Sequence, residues 1–137
     1  MAGYVGTSQE RLALHTYMRL LRAANGLGAR LNAGLATAGL TESQFGVLEA
    51  LLYPGLLPQR ELAGKIRRTH GNVTLVIDRL ERRGLVRRQR GAADRRCIQV
   101  ALTDEGEALV RGLLPGHAAR LAGEMSVLRE DEQQELS

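Results

Sequence analysis

Gly84 separates two different apolar periods, and that switch constrains the fold more than any other feature of the chain. Before it, Val73, Val76, Ile77 and Leu80 recur at i, i+3, i+4 and i+7, the spacing of one helix face. After it, residues 85–90 and 97–102 read as two extended segments. In the second, Ile98, Val100 and Leu102 alternate with Cys97, Gln99 and Ala101. Gly84 suits the position just past a helix end. The stretch Gly91-Ala92-Ala93-Asp94-Arg95-Arg96 is too long for a two-residue turn and predicts a projecting loop with a basic tip.

The flanks are helical. Thr41-Glu42-Ser43-Gln44 forms a capping box, and the helix it opens runs to about residue 53, with Phe45, Leu48 and Leu52 on one face, until Pro54-Gly55 stops it. Pro58 suits the first turn of a short helix reaching about residue 67, with Leu62 and Ile66 as its buried pair. Residues 69–72 form a turn. Residues 9–36 predict a long helix with Leu14, Tyr17, Leu21, Ala24, Gly28, Leu31 and Leu35 at alternating steps of three and four. That seam fits pairing with a second copy of the chain, or a plain core helix. Gly26, Gly28 and Gly34 weaken the helix by about 1 kcal/mol each relative to Ala and permit a break or a tight crossing.

Thr103 caps a further helix carrying Leu109, Val110, Leu113 and Leu114, and Pro115-Gly116 predicts a break or kink before the pattern resumes at 117–125. A last helix spans about 128–137 and ends before completing an apolar face. The fold class is mainly α with a small β-hairpin, α+β. The order is that of a winged helix-turn-helix whose N- and C-terminal helices form a dimerisation region. The expected divisions are 1–38, 39–102 and 103–137, intertwined as one domain, which suits 137 residues.

Charge is concentrated in the middle. Residues 60–96 hold twelve basic and four acidic side chains, a net +8, while the rest of the chain is −4. Such a basic centre between acidic flanks fits a polyanion, nucleic acid foremost, or a solvated basic surface in an arginine-favouring chain. Aromatic residues are 3% with no Trp, too few for the base-stacking platforms that bind single strands. No apolar run approaches a membrane span, no secretory leader pattern opens the sequence, and a single cysteine excludes an internal disulfide. A cytoplasmic setting fits.

The helix before Gly84 buries its apolar stripe and presents Asn72, Thr74, Leu75, Asp78, Arg79 and Arg82 on the other side. In a major groove Asn72 pairs with adenine, Arg79 with guanine and Leu75 with a thymine methyl. Leu75 alternatively packs on a neighbour. Arg90, Arg95 and Arg96 bracket the projecting loop and suit a minor groove. Asp94 either orients the Arg96 guanidinium or makes an ordinary loop ion pair. His70 touches a phosphate or caps its turn. Gln59 and Thr69 complete the candidate DNA contacts.

Chemistry of other kinds finds little footing. His15, His70 and His117 are scattered, and no hydrolase, metalloprotease or phosphate-loop motif is present, so neither an enzyme nor a metal or cofactor site is expected. Cys97, beside Arg95 and Arg96, is either a redox switch or a small strand residue. A sequence-independent architectural DNA binder is a further alternative, as is an enzyme using Cys97 as nucleophile.

Taken together, Leu40-Thr41-x-x-Gln44-Phe45-x-Val47-Leu48, Glu61-Leu62-Ala63, Asn72-Val73-Thr74, Asp78-Arg79-Leu80-Glu81-Arg82-Arg83-Gly84-Leu85-Val86-Arg87-Arg88, Asp94-Arg95-Arg96 and Val100-x-Leu102-Thr103-x-x-Gly106 resemble the MarR family of bacterial transcriptional regulators. The resemblance runs from about residue 10 to the end. It implies a homodimer on double-stranded DNA, at a pseudo-palindromic operator, acting as a repressor. It also implies release by a small aromatic or lipophilic effector, phenolic ligands included, or by an oxidant. Arg96 would enter the minor groove with Asp94 orienting it. The effector pocket implied by the resemblance maps onto His15, Arg19, Phe45, Leu48 and His117. The N-terminal cysteine of hydroperoxide-sensing members has no counterpart here.

Overall fold

The computed structural model describes residues 4–66 and 72–137. Its elements run α1 (Ser8–Leu35), a 3-10 turn (Ala36–Ala38), α2 (Glu42–Leu52), β1 (Leu56–Pro58), α3 (Gln59–Lys65), α4 (Val73–Arg82), β2 (Val86–Arg90), β3 (Ile98–Leu102), α5 (Asp104–Met125) and α6 (Glu130–Leu136). The mainly helical winged fold is borne out.

The capping box at Thr41 forms as the sequence predicts. The Gln44 N–H donates to Thr41 Oγ1 at 3.2 Å, and the Thr41 N–H donates to Gln44 Oε1 at 3.1 Å. Two orphan donors at the head of α2 are thereby satisfied. Asn32 of α1 takes a third, accepting from the Glu42 N–H at 2.7 Å. From this start α2 delivers Phe45, Val47, Leu48 and Leu51 to the centre of the core, where Leu62, Ile77, Leu80, Val86, Val100 and Val110 meet them. Each such burial is worth roughly 1.5–3 kcal/mol.

Three boundaries differ from expectation. Pro58 is the N-cap of α3 and closes a three-residue strand, β1, which pairs antiparallel with β3 through Leu57 opposite Val100. The sheet therefore has three strands, in the order β1-β3-β2. A strand this short has no readable period, so only its partner reveals it. Helix α5 runs unbroken through Pro115. Pro115 and its neighbour Gly116 are exposed, so the Arg111 carbonyl that loses its partner faces water rather than the core. Alternation in β3 also fails in part, because both Val100 and Ala101 are buried while Ile98 is exposed.

Helix α1 continues through its glycines. At 28 residues it is about 42 Å long. Only its C-terminal end enters the core, through Leu31 and Leu35. Gly34 lies beneath the Arg120 guanidinium of α5, where a Cβ would collide, and Arg30 reaches Glu124 at 2.7 Å. The helix does not break there, and the Arg120 side chain takes the room that the glycine leaves. Toward its N-terminus Leu12, Tyr17 and Leu20 stand 60–66% exposed with no core behind them.

Candidate nucleic-acid interface

Helix α4 starts at Asn72, whose Oδ1 accepts from the Thr74 N–H at 3.0 Å. Asn72 thus caps the helix through its oxygen, a role the sequence did not suggest, and its amide nitrogen makes no hydrogen bond among the described residues. An N-cap residue lies outside the helix and satisfies its orphan donors first. Ile77 and Leu80 are buried on the inner side. Thr74, Leu75, Arg79 and Arg82 are exposed on the outer side, Leu75 at 43%. Neither Arg79 nor Arg82 has an ion-pair partner among the described residues.

Asp78 does not belong to that outer surface. Its carboxylate sits 2.7 Å from Arg88 Nη1, which also meets Glu81 at 3.1 Å. Arg88, on β2, further donates from Nε to Gln59 Oε1 at 3.1 Å and from Nη2 to the Thr74 carbonyl at 3.3 Å. Gln59 Nε2 in turn donates to Thr74 Oγ1 at 3.3 Å. One guanidinium therefore ties β2, α3 and α4 together. The sequence reading missed this role, since positions 59, 74, 78, 81 and 88 meet only after folding. Only the Glu81–Arg88 pair, flanking the Gly84 turn, offered a local signal.

At the wing, the Gly91 N–H donates to the Cys97 carbonyl at 2.8 Å and the Cys97 N–H to the Asp94 carbonyl at 3.1 Å, which narrows the loop. Asp94 Oδ1 accepts the main-chain N–H of Arg96 at 2.9 Å. This corrects the expected side-chain pairing. An aspartate bonds most readily to the backbone two residues on, and here that bond fixes the turn and leaves the Arg96 guanidinium free of it. Arg90 Nη1 donates to the Arg95 carbonyl at 3.2 Å, bracing the loop from the strand side. Arg95 and Arg96 are exposed at the tip. Cys97 is half-buried in a cleft of about 370 Å³ shared with Gln59, Arg60, Thr74 and Arg96. Thr69 and His70 lie outside the described residues.

Two further ties hold α4 and the wing, one to the turn after α1 and one to the start of α5. Arg83, at the end of α4, donates to the Gly39 and Ala38 carbonyls at 2.7 and 3.3 Å. At the other side, the Thr103 hydroxyl donates to the Gly84 carbonyl at 2.6 Å while capping α5 through the Gly106 N–H at 3.1 Å. Gly84 itself has φ of 71°, a conformation that costs glycine nothing.

The five effector-site candidates do not form one site. His15 and Arg19 lie one turn apart on α1, with Arg19 Nε 3.2 Å from His15 Nε2. They line an open groove of about 540 Å³ with Tyr4, Arg11, Leu14, Met18 and Arg22. Phe45 and Leu48 are instead core residues, 1% and 0% exposed, and His117 stacks on Phe45 with ring centroids 4.4 Å apart. Among the described residues no three His, Cys, Asp or Glu side chains converge as a metal site would require, and no helix is long and apolar enough to cross a membrane.

Comparison with known proteins agrees with this geometry. The MarR family profile matches residues 40–98. The regulator MhqR of Bacillus subtilis, an HTH-type transcriptional regulator, is 32% identical over 120 residues, 88% of this chain and 83% of MhqR. The chain belongs to the MarR family. It is thus a DNA-binding transcriptional regulator, and its α3–α4 unit and wing are those of the family's winged helix. The solved structure of Sco3205, a MarR family regulator from Streptomyces coelicolor in complex with DNA, superposes with a TM-score of 0.81 at 29% identity, covering 97% of this chain and 84% of that one. BpsR of Bordetella bronchiseptica, whose DNA binding is regulated by 6-hydroxynicotinic acid, superposes at 0.78 with 28% identity, covering 87% and 85%.

Proposed function

We propose that this MarR-family regulator acts in the cytoplasm as a homodimeric repressor on a pseudo-palindromic operator. The observation that carries the reading is two groups of exposed arginines, Arg79 and Arg82 on α4 and Arg95 and Arg96 at the wing tip, on elements that share the cleft lined by Thr74 and Arg96. Arg79 and Leu75 fit base edges in a major groove, and Arg96 fits the adjoining minor groove. Other arginines of the basic centre are internally engaged: Arg83 and Arg88 hold the lobe together, so the local charge available to phosphate is smaller than the sequence total.

Dimerisation is supported by the bare apolar residues of α1. Tyr17 and Leu21, one turn apart on the same face, and Leu12 and Leu20 elsewhere around the helix would be left in water along its N-terminal half, whereas a second copy's terminal helices would cover the Tyr17–Leu21 face. Two α4 helices about 34 Å apart would then enter successive major grooves. Release by a small effector is supported by the α1 groove, which combines Tyr4, Leu14 and Met18 with the cations of Arg11, Arg19 and Arg22. A lipophilic anion, such as a phenolate or an aromatic carboxylate, suits both, and BpsR responds to a compound of that kind. Such a ligand represses binding to DNA by favouring a conformer whose α4 helices are wrongly spaced.

Selection of bound duplexes from a random pool tests this directly. An enriched inverted repeat bound by two chains is expected. Retention of all sequences alike would make the protein an architectural binder held by phosphate charge alone.

A further inference from the structure

A guanidinium carries only hydrogen-bond donors, so whatever faces it must accept. Arg88 Nε–H points at the side-chain amide of Gln59 across 3.1 Å. The amide is therefore turned with its oxygen toward Arg88 and its nitrogen toward Thr74 Oγ1 at 3.3 Å. Thr74 Oγ1 accepts that bond, and its own proton finds no acceptor among the described residues. Arg88 cannot turn away to a phosphate itself, because Asp78 at 2.7 Å and Glu81 at 3.1 Å neutralise it in place. Thr74 is exposed and Gln59 half-buried at the edge of the wing cleft, so both reach a ligand laid across α4.

We propose that Arg88 sets the hydrogen-bond polarity of this corner, turning the Gln59 amide so that its second N–H, together with the Thr74 hydroxyl proton, faces a hydrogen-bond acceptor on DNA. The shared chemistry of that partner is an acceptor atom, either O6 or N7 of guanine or a backbone phosphate oxygen. A cytosine N4 amino group, itself a donor, finds no acceptor in the outward Gln59 N–H and is the poorer match. Arg88 acts here as a positioning residue, without touching DNA. The proposal rests on the reading of α4 as the DNA-contacting helix.

Gln59→Glu is the decisive variant, because it keeps the shape and the bond from Arg88 but has no proton to give. The Thr74 hydroxyl must then donate inward, and the corner turns from donor to acceptor. Duplex selections are run with the wild type, Gln59→Glu, the uncharged Thr74→Val, and Arg88→Met. If the partner is a base, Gln59→Glu exchanges guanine for another base at one position of each half-site and loses about tenfold or more on the original sequence. Thr74→Val and Arg88→Met then relax the preference at that same position, with helicity by circular dichroism unchanged. If the partner is a phosphate, all three variants keep the motif and weaken every sequence equally, and a neutral methylphosphonate at one backbone position abolishes the difference from wild type. Variants that keep both the wild-type motif and its affinity within twofold overturn the proposal while leaving α4 as the reading helix. A wild type that binds no duplex removes the α4 reading and the proposal together.

Discussion

The Leu85 carbonyl oxygen occupies the space where a Cβ on residue 106 would lie. Gly106 is in the first turn of α5, and Leu85 leads into the wing, so the absence of a side chain lets a long helix approach the root of the DNA-binding lobe at main-chain contact. The same carbonyl accepts the Thr103 N–H at 3.1 Å, which holds it in that position. Gly106→Ala must push α5 and the wing apart. Overpacking against backbone of this kind costs about 1–3 kcal/mol. Urea unfolding should show a midpoint lowered accordingly, and an unchanged midpoint would mean that the approach is not constrained.

Arg83 provides a second link, between the end of α4 and the turn that follows α1, through its bonds to Gly39 and Ala38. Arg83→Met keeps the aliphatic stem and removes the donors. Stability should fall by about 1 kcal/mol, the usual net worth of such bonds near the surface. Operator affinity should fall further than that loss explains, since the end of α4 is released from the turn that joins α1 to α2. Equal, full operator binding by the folded variant would show the link to be structural only.

The exposed seam of α1 gives a prediction about assembly. Tyr17→Glu combined with Leu21→Glu places two charges on the face assigned to the second copy, while both positions lie well outside the core. Sedimentation should report a monomer with the fold intact by circular dichroism. A dimer that persists at micromolar concentration would place the interface elsewhere.

Acid should loosen the start of α1. The Thr7 N–H and hydroxyl, at 2.7 and 3.0 Å, hold the Glu10 carboxyl below its usual value of 4.5. A lowered carboxyl pKa stabilises the folded form above the unfolded value, and that contribution disappears as pH falls through the folded value. Amide exchange in the first turn should therefore accelerate, after correction for intrinsic rates, as pH drops below about 4.5. Glu10→Gln should abolish the pH dependence. Exchange insensitive to pH in the wild type would contradict the cap.

Local rules made much of this fold legible. Thr41 and Gln44 find each other because they are three residues apart, and the change of period at Gly84 separates α4 from β2 without reference to anything distant. Pro115 misled because the rule against proline inside a helix is strictest where the freed carbonyl is buried, and here it faces water. β1 escaped notice because its three residues are a strand only by virtue of β3. At the site, the exposed arginines of α4 and the wing could be read from position alone. The engagement of Asp78 by Arg88, the capping role of Asn72 and the turn made by Asp94 could not, since each depends on which neighbour reaches the group first. The separation of His15 and Arg19 from Phe45, Leu48 and His117 likewise follows from three-dimensional placement, with one pair on an open helix face and the others in or against the core.

The central claim is that α4 and the wing read a DNA sequence, and the most direct measurement compares affinity for the selected repeat with affinity for an unrelated duplex, across salt, for the wild type and for Arg79→Ala and Arg96→Ala. The wild type is expected to prefer the repeat by about 10³-fold or more at physiological salt. Arg79→Ala should relax the preference at one position, and Arg96→Ala should weaken binding with helicity unchanged. Equal affinity of the wild type for both duplexes, falling together as salt rises, would contradict that claim.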